Sequence, residues 1–442
     1  MRQSKHDSTM MNTIVEVTTG RLTPNQIRSF WAAWAGWALD GMDSFIYALV
    51  LVPSLHELLP HSGIKPTGGN IGFYGGLLFA VFLIGWGLSF LWGPLADRFG
   101  RVRTLTLTIL CYSAFTLAGA LSTSVWELGA FRLLAGVGIG GEWTLGGVLV
   151  AEEWPEERRI WGGSLMHTGY YFGTTLASLA NFWIGSHFGW RVMFLLGGTP
   201  ALLVAFIRYG VREPARWTNR SRQIGQPATA RAAFSKLFSD EYRRRTLLNA
   251  LYVLVSMVGL WAGSVYVPSA VTQLATQEGH NLPTAARLAS TASVLLSVGT
   301  IVGCLLVPML ARHMGRRPTL GFFYLLTAVF IFFSFGYVFY LPQHAVSWFL
   351  GCLFFLGVGG ASFCVFTVWL PEQYRTECRA SAFAFATSFG RFVAAGATFA
   401  VGAAVSQAGT LGRPVAMTGF AFLLGLALLP LGVETRGAPL LE

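Results

Sequence analysis

Six ionisable side chains occur inside long apolar stretches of this 442-residue chain, where a charged group is energetically expensive. They are Asp40, Asp43, Arg132, Glu142, His167 and Arg391. Carboxylates and imidazoles exchange protons, and the planar guanidinium group of arginine binds a carboxylate through two parallel hydrogen bonds. These residue types in an apolar setting indicate proton and anion chemistry.

Asp40 and Asp43 are the clearest candidates for proton binding. They lie roughly 15–20 Å into the first apolar stretch, near the middle of a bilayer. Their spacing places them on one helical face, which Tyr47 continues. Two carboxylates close together in a low dielectric do not both ionise readily, so the pair is suited to taking up and releasing a proton. The alternative is a static helix-packing hydrogen bond or an ion pair.

Arg391 lies in the middle of a later apolar stretch and stays charged at any working pH. We expect it to bind the carboxylate of a substrate, or else to serve as a permanent partner of Asp40 or Asp43. The two roles can alternate within one cycle, with substrate displacing an aspartate. The other candidates to line a substrate cavity are Trp37, Tyr47, His167, Tyr170, Tyr171 and Trp261.

Glu142 and His167 each allow two interpretations. Glu142 is a candidate for a second proton carrier, but a buried partner in an ion pair fits equally well. His167 titrates near neutrality in water, yet a lone histidine on an apolar helix is more often hydrogen-bonded to a neighbouring helix.

The composition requires that a membrane surround these residues. The chain is 53% hydrophobic and only 12% charged, whereas a soluble domain carries about 25% charged residues. Apolar runs of about 20 residues predict twelve transmembrane helices. Their predicted ranges are 30–55, 71–96, 104–122, 126–151, 160–186, 191–209, 246–274, 287–311, 319–341, 344–370, 380–406 and 412–432.

The spacing of these runs divides the chain into two six-helix bundles. The predicted N-terminal bundle covers 30–209 and the C-terminal bundle covers 246–432. A basic linker, 210–245, joins them, and short tails, 1–29 and 433–442, flank them. The N-terminal tail has no apolar core or cleavage site of a signal peptide.

The basic residues orient the predicted helices. If the N-terminus is inside, 25 of the 31 Lys and Arg residues fall on the inner side, and Arg132 and Arg391 lie within spans. The exceptions outside the membrane are Lys65, Arg191, Arg287 and Arg413. This asymmetry predicts that both termini and the linker are cytoplasmic, in a bacterial-type inner membrane. It also explains most of the net charge of +11 without a nucleic-acid partner.

The two halves resemble each other in sequence. Gly100–Leu105 and Gly315–Leu320 are similar at an offset of 215 residues, and Trp154–Arg159 and Leu370–Arg375 at an offset of 216. Two loops that share nearly one offset indicate an internal duplication, which is typical of transporters with a substrate site between the halves.

Three motifs resemble those of the major facilitator superfamily. Gly93–Arg103 is similar to its signature loop G-x-x-x-D-R-x-G-R, Arg132–Gly140 to its fourth-span motif, and Trp154–Arg159 to its P-E-x-x-R loop. More narrowly, Trp34–Asp43 and Ala135–Trp143 resemble segments of bacterial proton-coupled sialic acid permeases. Lactate, pyruvate and aromatic-acid permeases share much of this pattern.

The resemblance implies roles for residues that spacing alone does not assign. Asp97, Arg98 and Arg101 are expected to form charge contacts with the end of the eleventh span that hold the outward-open state. Arg132 is expected to take part in proton transfer or to order the first span, with a structural tie to a neighbouring helix as the alternative.

The sequence therefore predicts an all-α polytopic membrane protein with the major facilitator fold, not an enzyme. The predicted function is import of a small organic anion, such as sialic acid or a monocarboxylate, by proton symport through alternating access. The alternatives are a sugar/proton symporter or facilitator, and a ligand sensor without transport. No cofactor or metal is expected, sodium remains an alternative coupling ion, and the protein is expected to function as a monomer. The five cysteines are expected to be buried apolar residues without disulfides.

Overall fold

The computed structural model describes residues 22–224, 230–261, 266–408 and 410–441, and the described secondary structure is helical. The helices of the N-terminal half are α1 (Pro24–His61), α2 (Gly68–Leu88), α3 (Trp92–Phe99), α4 (Arg101–Gly119), α5 (Val125–Glu153), α6 (Arg159–Ala180), α7 (Ser186–Phe188), α8 (Trp190–Gly197) and α9 (Ala201–Gly210). A 3₁₀ turn, Ser89–Leu91, joins α2 to α3, and a π-helical turn, Asn181–Gly185, joins α6 to α7.

The predicted linker contains α10 (Ala215–Ile224) and α11 (Ala230–Lys236). The helices of the C-terminal half are α12 (Arg243–Ser256), α13 (Val267–Gln277), α14 (Leu282–His313), α15 (Arg316–Ile331), α16 (Ala345–Gly360), α17 (Ser362–Glu372), α18 (Arg379–Ala408), α19 (Gly412–Met417) and α20 (Phe420–Leu428). A π-helical segment, Met257–Trp261, extends α12.

Local sequence explains where these helices begin. Thr23 caps α1 by accepting a hydrogen bond from the Gln26 backbone N–H, while the Gln26 side chain accepts one from the Thr23 N–H. Gly100 and Gly315 precede α4 and α15 with φ of 110° and 94°, a backbone conformation that L side chains rarely adopt. The repeated Gly-Arg pairs of the two halves therefore form equivalent sharp turns between helices.

Helices occupy each of the twelve predicted spans. Among the described residues, seven helical stretches are both long and apolar enough to cross a membrane. The count is eight if Pro24–Leu51 and Pro53–His61 form one bent span. The remaining predicted spans fall on helices that do not meet this criterion in the described residues, so the number of crossings stays a prediction.

Glycines allow the helices of each half to approach closely. A Cβ at Gly85 of α2 would lie 2.0 Å from the carbonyl oxygen of Leu133 in α5. In the C-terminal half, a Cβ at Gly299 of α14 would lie 2.1 Å from the carbonyl oxygen of Phe354 in α16. Both halves thus use backbone contact, at matching helix pairs, to hold their bundles together.

Candidate functional site

Helix α1 carries the two central carboxylates into a fully buried environment. Asp43 lies 3.7 Å from the Arg132 guanidinium of α5, measured from Oδ1 to Nη2. The same Nη2 donates a hydrogen bond to Thr116 Oγ1 of α4 at 3.0 Å. Arg132 therefore ties α1 to α4 and α5, and its partner is Asp43.

Aromatic rings surround the Arg132 guanidinium. Its Cζ lies 4.8 Å from the ring centroid of Phe194 and 5.2 Å from that of Tyr47. Tyr47 is 1% exposed. The structure thus places Tyr47, predicted to contact substrate, beside the Arg132–Asp43 pair.

Asp40 of α1 and Glu142 of α5 lie at the face of α1 that carries Asp43, closer to the N-terminal end of this helix. Neither Asp40 carboxylate oxygen has a hydrogen-bond partner among the described residues. Glu142 Oε1 accepts a hydrogen bond from Thr108 Oγ1 at 2.9 Å. A Cβ at Gly36 would lie only 2.3 Å from Glu142 Oε2, so Gly36 leaves the space that this carboxylate fills. Carboxyl groups therefore stand at three successive turns of α1, beside positions 43, 40 and 36.

Arg391 of α18 faces this row of carboxylates from the C-terminal half. Its Cζ lies 4.2 Å from the ring centroid of Trp86 and 5.9 Å from that of Trp143. It donates a hydrogen bond to the Thr387 carbonyl oxygen. Within the described part of the chain, it has no carboxylate partner at ion-pair distance, and Asp40 is its acidic neighbour in electrostatic terms. In this conformation the described residues include no direct ion pair of Arg391 with Asp40 or Asp43, and both predicted roles of Arg391 stay predictions.

An aromatic cluster forms a wall next to Arg391. The Trp37 and Trp143 rings are stacked at a centroid distance of 5.8 Å, and Tyr170 packs on Trp37 at 4.9 Å. The His167 ring contacts Trp143 at 5.6 Å and Tyr171 at 6.2 Å. The structure thus brings together four of the predicted cavity residues, Trp37, His167, Tyr170 and Tyr171. The side chain of Trp261, also predicted, lies outside the described residues.

Two buried charge clusters lie at one end of the molecule, which we call the basic end because it carries Arg101, Arg159, Arg316 and Arg379. In the first cluster, around Glu152, Arg101 Nε and Nη2 donate hydrogen bonds to this carboxylate at 2.9 Å each. Arg379 Nη1, from the C-terminal half, donates to Glu152 Oε1 at 2.6 Å. One carboxylate therefore joins arginines of both halves.

A second cluster repeats this arrangement with the halves exchanged. Arg316 Nε and Nη2 donate to Glu372 at 2.9 and 2.7 Å, and Arg159 Nη2 of the N-terminal half donates to Glu372 Oε1 at 3.2 Å. Glu152 and Arg159 thus correspond to Glu372 and Arg379. Their offset is 220 residues, which corrects the offset of 216 that the sequence similarity of these loops indicates.

Asp97 joins the halves beside the first cluster. Its Oδ2 accepts hydrogen bonds from the Ser381 N–H at 2.9 Å and from Ser381 Oγ at 2.6 Å, in the first turn of α18. Its Oδ1 lies 3.2 Å from Arg101 Nη1. Arg98 is exposed and lies over the ring of Phe99, with Cζ at 4.9 Å. Of the three predicted gating residues, Asp97 and Arg101 therefore lie in the contact between the halves, while Arg98 faces outward.

Sequence reasoning missed several residues of the site, and some of them carry a signal. Trp143 follows Glu142 directly, and Trp86 stands between two glycines, which leaves room for a large ring. Thr367 and Arg379 carry no such signal, because their partners come from the other half. In the part of the chain that the structure describes, no three His, Cys, Asp or Glu side chains are grouped as a metal site would require.

Two helical halves that meet in buried charge clusters at one end, with ionisable groups at the centre, define a polytopic membrane transporter. Residues 33–398 match the Major Facilitator Superfamily. The chain belongs to this superfamily, and its membership confirms the predicted fold class and a transporter rather than an enzyme.

The chain is similar to several bacterial transporters. The chain is 30% identical to a probable 4-methylmuconolactone transporter of Cupriavidus pinatubonensis, over 94% of this chain and 92% of the relative. It is 27% identical to the 4-hydroxybenzoate transporter PcaK of Acinetobacter baylyi, over 68% and 69%. The sialic acid transporter NanX of Escherichia coli is 26% identical over 45% of this chain and 46% of its own. These relatives confirm the narrower resemblance to sialic acid and aromatic-acid permeases.

A solved structure shows the same fold. The proton:xylose symporter XylE, bound to 6-bromo-6-deoxy-D-glucose, superposes with a TM-score of 0.75 and 19% identity, over 94% of this chain and 98% of that chain. At this identity the similarity concerns the fold alone.

Proposed function

We propose that this protein imports a small organic acid together with protons, by alternating access, and that Arg391 binds the substrate carboxylate. The observation that carries the proposal is the position of Arg391. It is 4% exposed, is held by two indole rings and has no carboxylate at ion-pair distance among the described residues. A buried guanidinium without a carboxylate in direct contact is costly, and a substrate carboxylate supplies that contact with matched geometry.

The aromatic wall favours a planar or unsaturated acid. Trp86 and Trp143 flank the guanidinium, and Trp37 and Tyr170 continue the aromatic surface. Aromatic faces pack well against flat conjugated rings. The names of the relatives, which include 4-hydroxybenzoate and 4-methylmuconolactone transporters, support the same chemical class. We therefore place an aromatic or unsaturated ring carboxylate ahead of sialic acid as the substrate.

Protons bind, in this proposal, to the carboxylates along α1. Asp40 lies between Asp43 and Glu142 and is the acidic group that interacts with Arg391. Protonation of Asp40 weakens its attraction to the guanidinium and leaves Arg391 free for the substrate. Glu142 then stands at the inner end of the row, where it passes the proton towards the cytoplasm.

The conformation described fits the outward-facing step of this cycle. Glu152, Glu372 and Asp97 join the two halves at the basic end, which in this proposal faces the cytoplasm. Substrate would then enter from the opposite side. Opening of the basic end requires that these cross-half bonds break, while the bonds within each half are kept.

Ligand-dependent thermal stabilisation of the purified protein, at pH 5.5 and 7.5, tests the substrate class. A bound ligand raises the unfolding temperature by mass action. The panel contains 4-hydroxybenzoate, cis,cis-muconate, lactate, sialic acid and xylose. We expect stabilisation by the unsaturated acids, stronger at pH 5.5, and its loss in Arg391→Gln but only partial loss in Arg391→Lys. Stabilisation by xylose alone, unchanged in Arg391→Gln, would contradict the anion site.

Flux separates transport from sensing. Proteoliposomes with an inward proton gradient should accumulate the stabilising acid, and a proton ionophore should abolish accumulation. Binding without any flux would instead identify a sensor. Replacement of the proton gradient by a sodium gradient identifies the coupling ion.

A further inference from the structure

Thr367 connects side chains of three helices in the interior of the protein. Its Oγ1 accepts a hydrogen bond from Trp143 Nε1 at 2.7 Å and lies 3.1 Å from His167 Nδ1. The three side chains are at most 2% exposed. Thr367 Oγ1 also donates to the Phe363 carbonyl oxygen at 3.4 Å, whereas the Trp143 N–H depends on Thr367 in an apolar environment, where an unmade hydrogen bond is costly.

The connection crosses from one half of the protein to the other. Trp143 on α5 and His167 on α6 belong to the N-terminal half, whereas Thr367 on α17 belongs to the C-terminal half. Thr367 lies five residues, about one and a half helical turns, before Glu372, which takes part in the second charge cluster at the basic end. Separation of the halves at this end therefore withdraws the hydroxyl group from Trp143.

Trp143 is also part of the aromatic wall next to Arg391. Its ring lies under the Arg391 guanidinium, with 5.9 Å between the centroid and Cζ, and it stacks on Trp37. The indole N–H is the polar handle by which this ring is oriented, because a buried Trp N–H requires an acceptor. The acceptor is supplied by the half that moves.

We propose that Thr367 is a positioning residue that makes substrate affinity depend on the state of the basic end. With the basic end closed, its hydroxyl holds Trp143 against the substrate and Arg391. With the basic end open, the hydroxyl is withdrawn, Trp143 is no longer held, and the substrate is bound less tightly on the side where it must leave. This role rests on the proposed function of the Arg391 site.

Substitution of Thr367 tests the proposal with 4-hydroxybenzoate as the probe. Thr367→Val keeps the volume and removes the hydroxyl, so binding from the outer side should weaken about 3- to 10-fold, as expected for one buried hydrogen bond. Thr367→Ser should restore wild-type affinity. Thr144→Val is the matched control. The Thr144 hydroxyl also contacts the other half, at 3.4 Å from the Thr387 hydroxyl, but it makes no hydrogen bond to the Trp143 indole. This variant should leave the affinity unchanged.

Vesicles of the two orientations provide the decisive comparison. In the wild type, the KM measured from the inner side should exceed the KM measured from the outer side, and Thr367→Val should reduce this difference by raising the outer KM alone. If Thr367 acts through the indole, Thr367→Val added to Trp143→Phe should cause no further loss of affinity. A role limited to folding would lower the unfolding temperature of Thr367→Val without changing either KM.

The outcomes separate this proposal from the function on which it rests. Saturable binding by the wild type, with equal affinity in Thr367→Val, would overturn the role of Thr367 and leave the Arg391 site intact. Absence of binding of 4-hydroxybenzoate and the other carboxylates to the wild type would overturn both.

Discussion

The substitution Glu152→Gln should shift the protein towards a state with an open basic end. Glu152 binds two arginines, but they contribute differently to the conformational equilibrium. Arg101 belongs to the same half as Glu152, so its hydrogen bonds to Glu152 are present whether the halves are together or apart. Arg379 belongs to the other half, and its bond to Glu152 exists only in the closed state.

The magnitude follows from that single crossing bond. A buried hydrogen bond between charged groups contributes about 1.5–3 kcal/mol. Loss of this amount from the closed state alone changes the closed-to-open ratio by about 10- to 150-fold, at about 1.4 kcal/mol for each factor of ten. Glutamine still offers one neutral acceptor, so we expect the lower end of this range. Opening also exposes Arg379 to water, which relieves its unpaired charge and acts in the same direction.

Alkylation of Cys378 by N-ethylmaleimide provides the assay. Cys378 is fully buried at the basic end, two residues before Ala380, whose N–H donates to Asp97 of the other half. Burial raises the pKa of the Cys378 thiol to about 12, so the reactive thiolate is scarce while the basic end is closed. Opening of the basic end moves Asp97 and its helix α3 away from Cys378, so water reaches the thiol. We therefore expect Glu152→Gln to alkylate at least several-fold faster than the wild type, measured by mass spectrometry of the labelled peptide.

Glu213→Gln is the matched control for this prediction. Glu213, in the predicted linker, accepts hydrogen bonds from the backbone N–H groups of Arg101 and Val102 at 2.7 and 3.1 Å, so these bonds do not join the two halves. Its loss should lower the unfolding temperature without changing the closed-to-open ratio. Equal alkylation rates in Glu152→Gln and the wild type, or equal acceleration in Glu213→Gln, would refute the assignment of Glu152 as the cross-half link.

Further predictions concern the proton path and the C-terminal segment. Gly36→Ala would place a Cβ 2.3 Å from Glu142 Oε2, so the carboxylate must shift by about 1 Å, and proton-driven uptake in proteoliposomes should fall about 10- to 100-fold. Gly76→Ala, which meets no atom within 4 Å, should not change uptake. Glu142→Gln should still be stabilised thermally by the ligand, but its uptake should no longer respond to an inward proton gradient. An unaltered response would show that Glu142 is not part of the proton path. Truncation after Gly432 removes the Glu434 caps on α15, each worth about 1 kcal/mol, and should lower the unfolding temperature.

The sequence predicts most of the fold because a membrane imposes long apolar helices and a simple distribution of basic residues. Both signals are local, and each helix can be recognised without knowing its neighbours. The tight turns at Gly100 and Gly315 follow in the same way, since the residue type that tolerates a positive φ marks them. Breaks of the helix inside a predicted span are harder to predict from the sequence. The predicted span 191–209, for example, is interrupted between α8 and α9.

Partner choice within the site is not predictable from spacing, because it depends on how helices rotate against one another. The sequence identifies Arg132 and Arg391 as charges that are costly to bury. It does not predict that Asp43 lies beside Arg132, or that indole rings lie beside Arg391. Helix geometry explains Arg98 after the fact. It follows Asp97 by one residue, about 100° around α3, so it points away when Asp97 faces the other half.

The division of charge between the halves explains why binding and coupling must depend on each other. The buried acidic residues within the predicted spans, Asp40, Asp43 and Glu142, all belong to the N-terminal half, whereas Arg391 belongs to the C-terminal half. In the proposed cycle, a proton bound to the N-terminal half therefore acts on a carboxylate bound to the C-terminal half across the interface between the halves, which we call the seam. This seam opens and closes during transport. Because Asp40 and Arg391 interact across this seam, their attraction depends both on protonation and on the separation of the halves. Substrate that neutralises Arg391 and a proton that neutralises Asp40 together remove that attraction, whereas either alone leaves one charge buried and unpaired. Under the proposed function, this unpaired charge penalises transport of substrate without a proton, and this penalty is the physical reason why we expect symport.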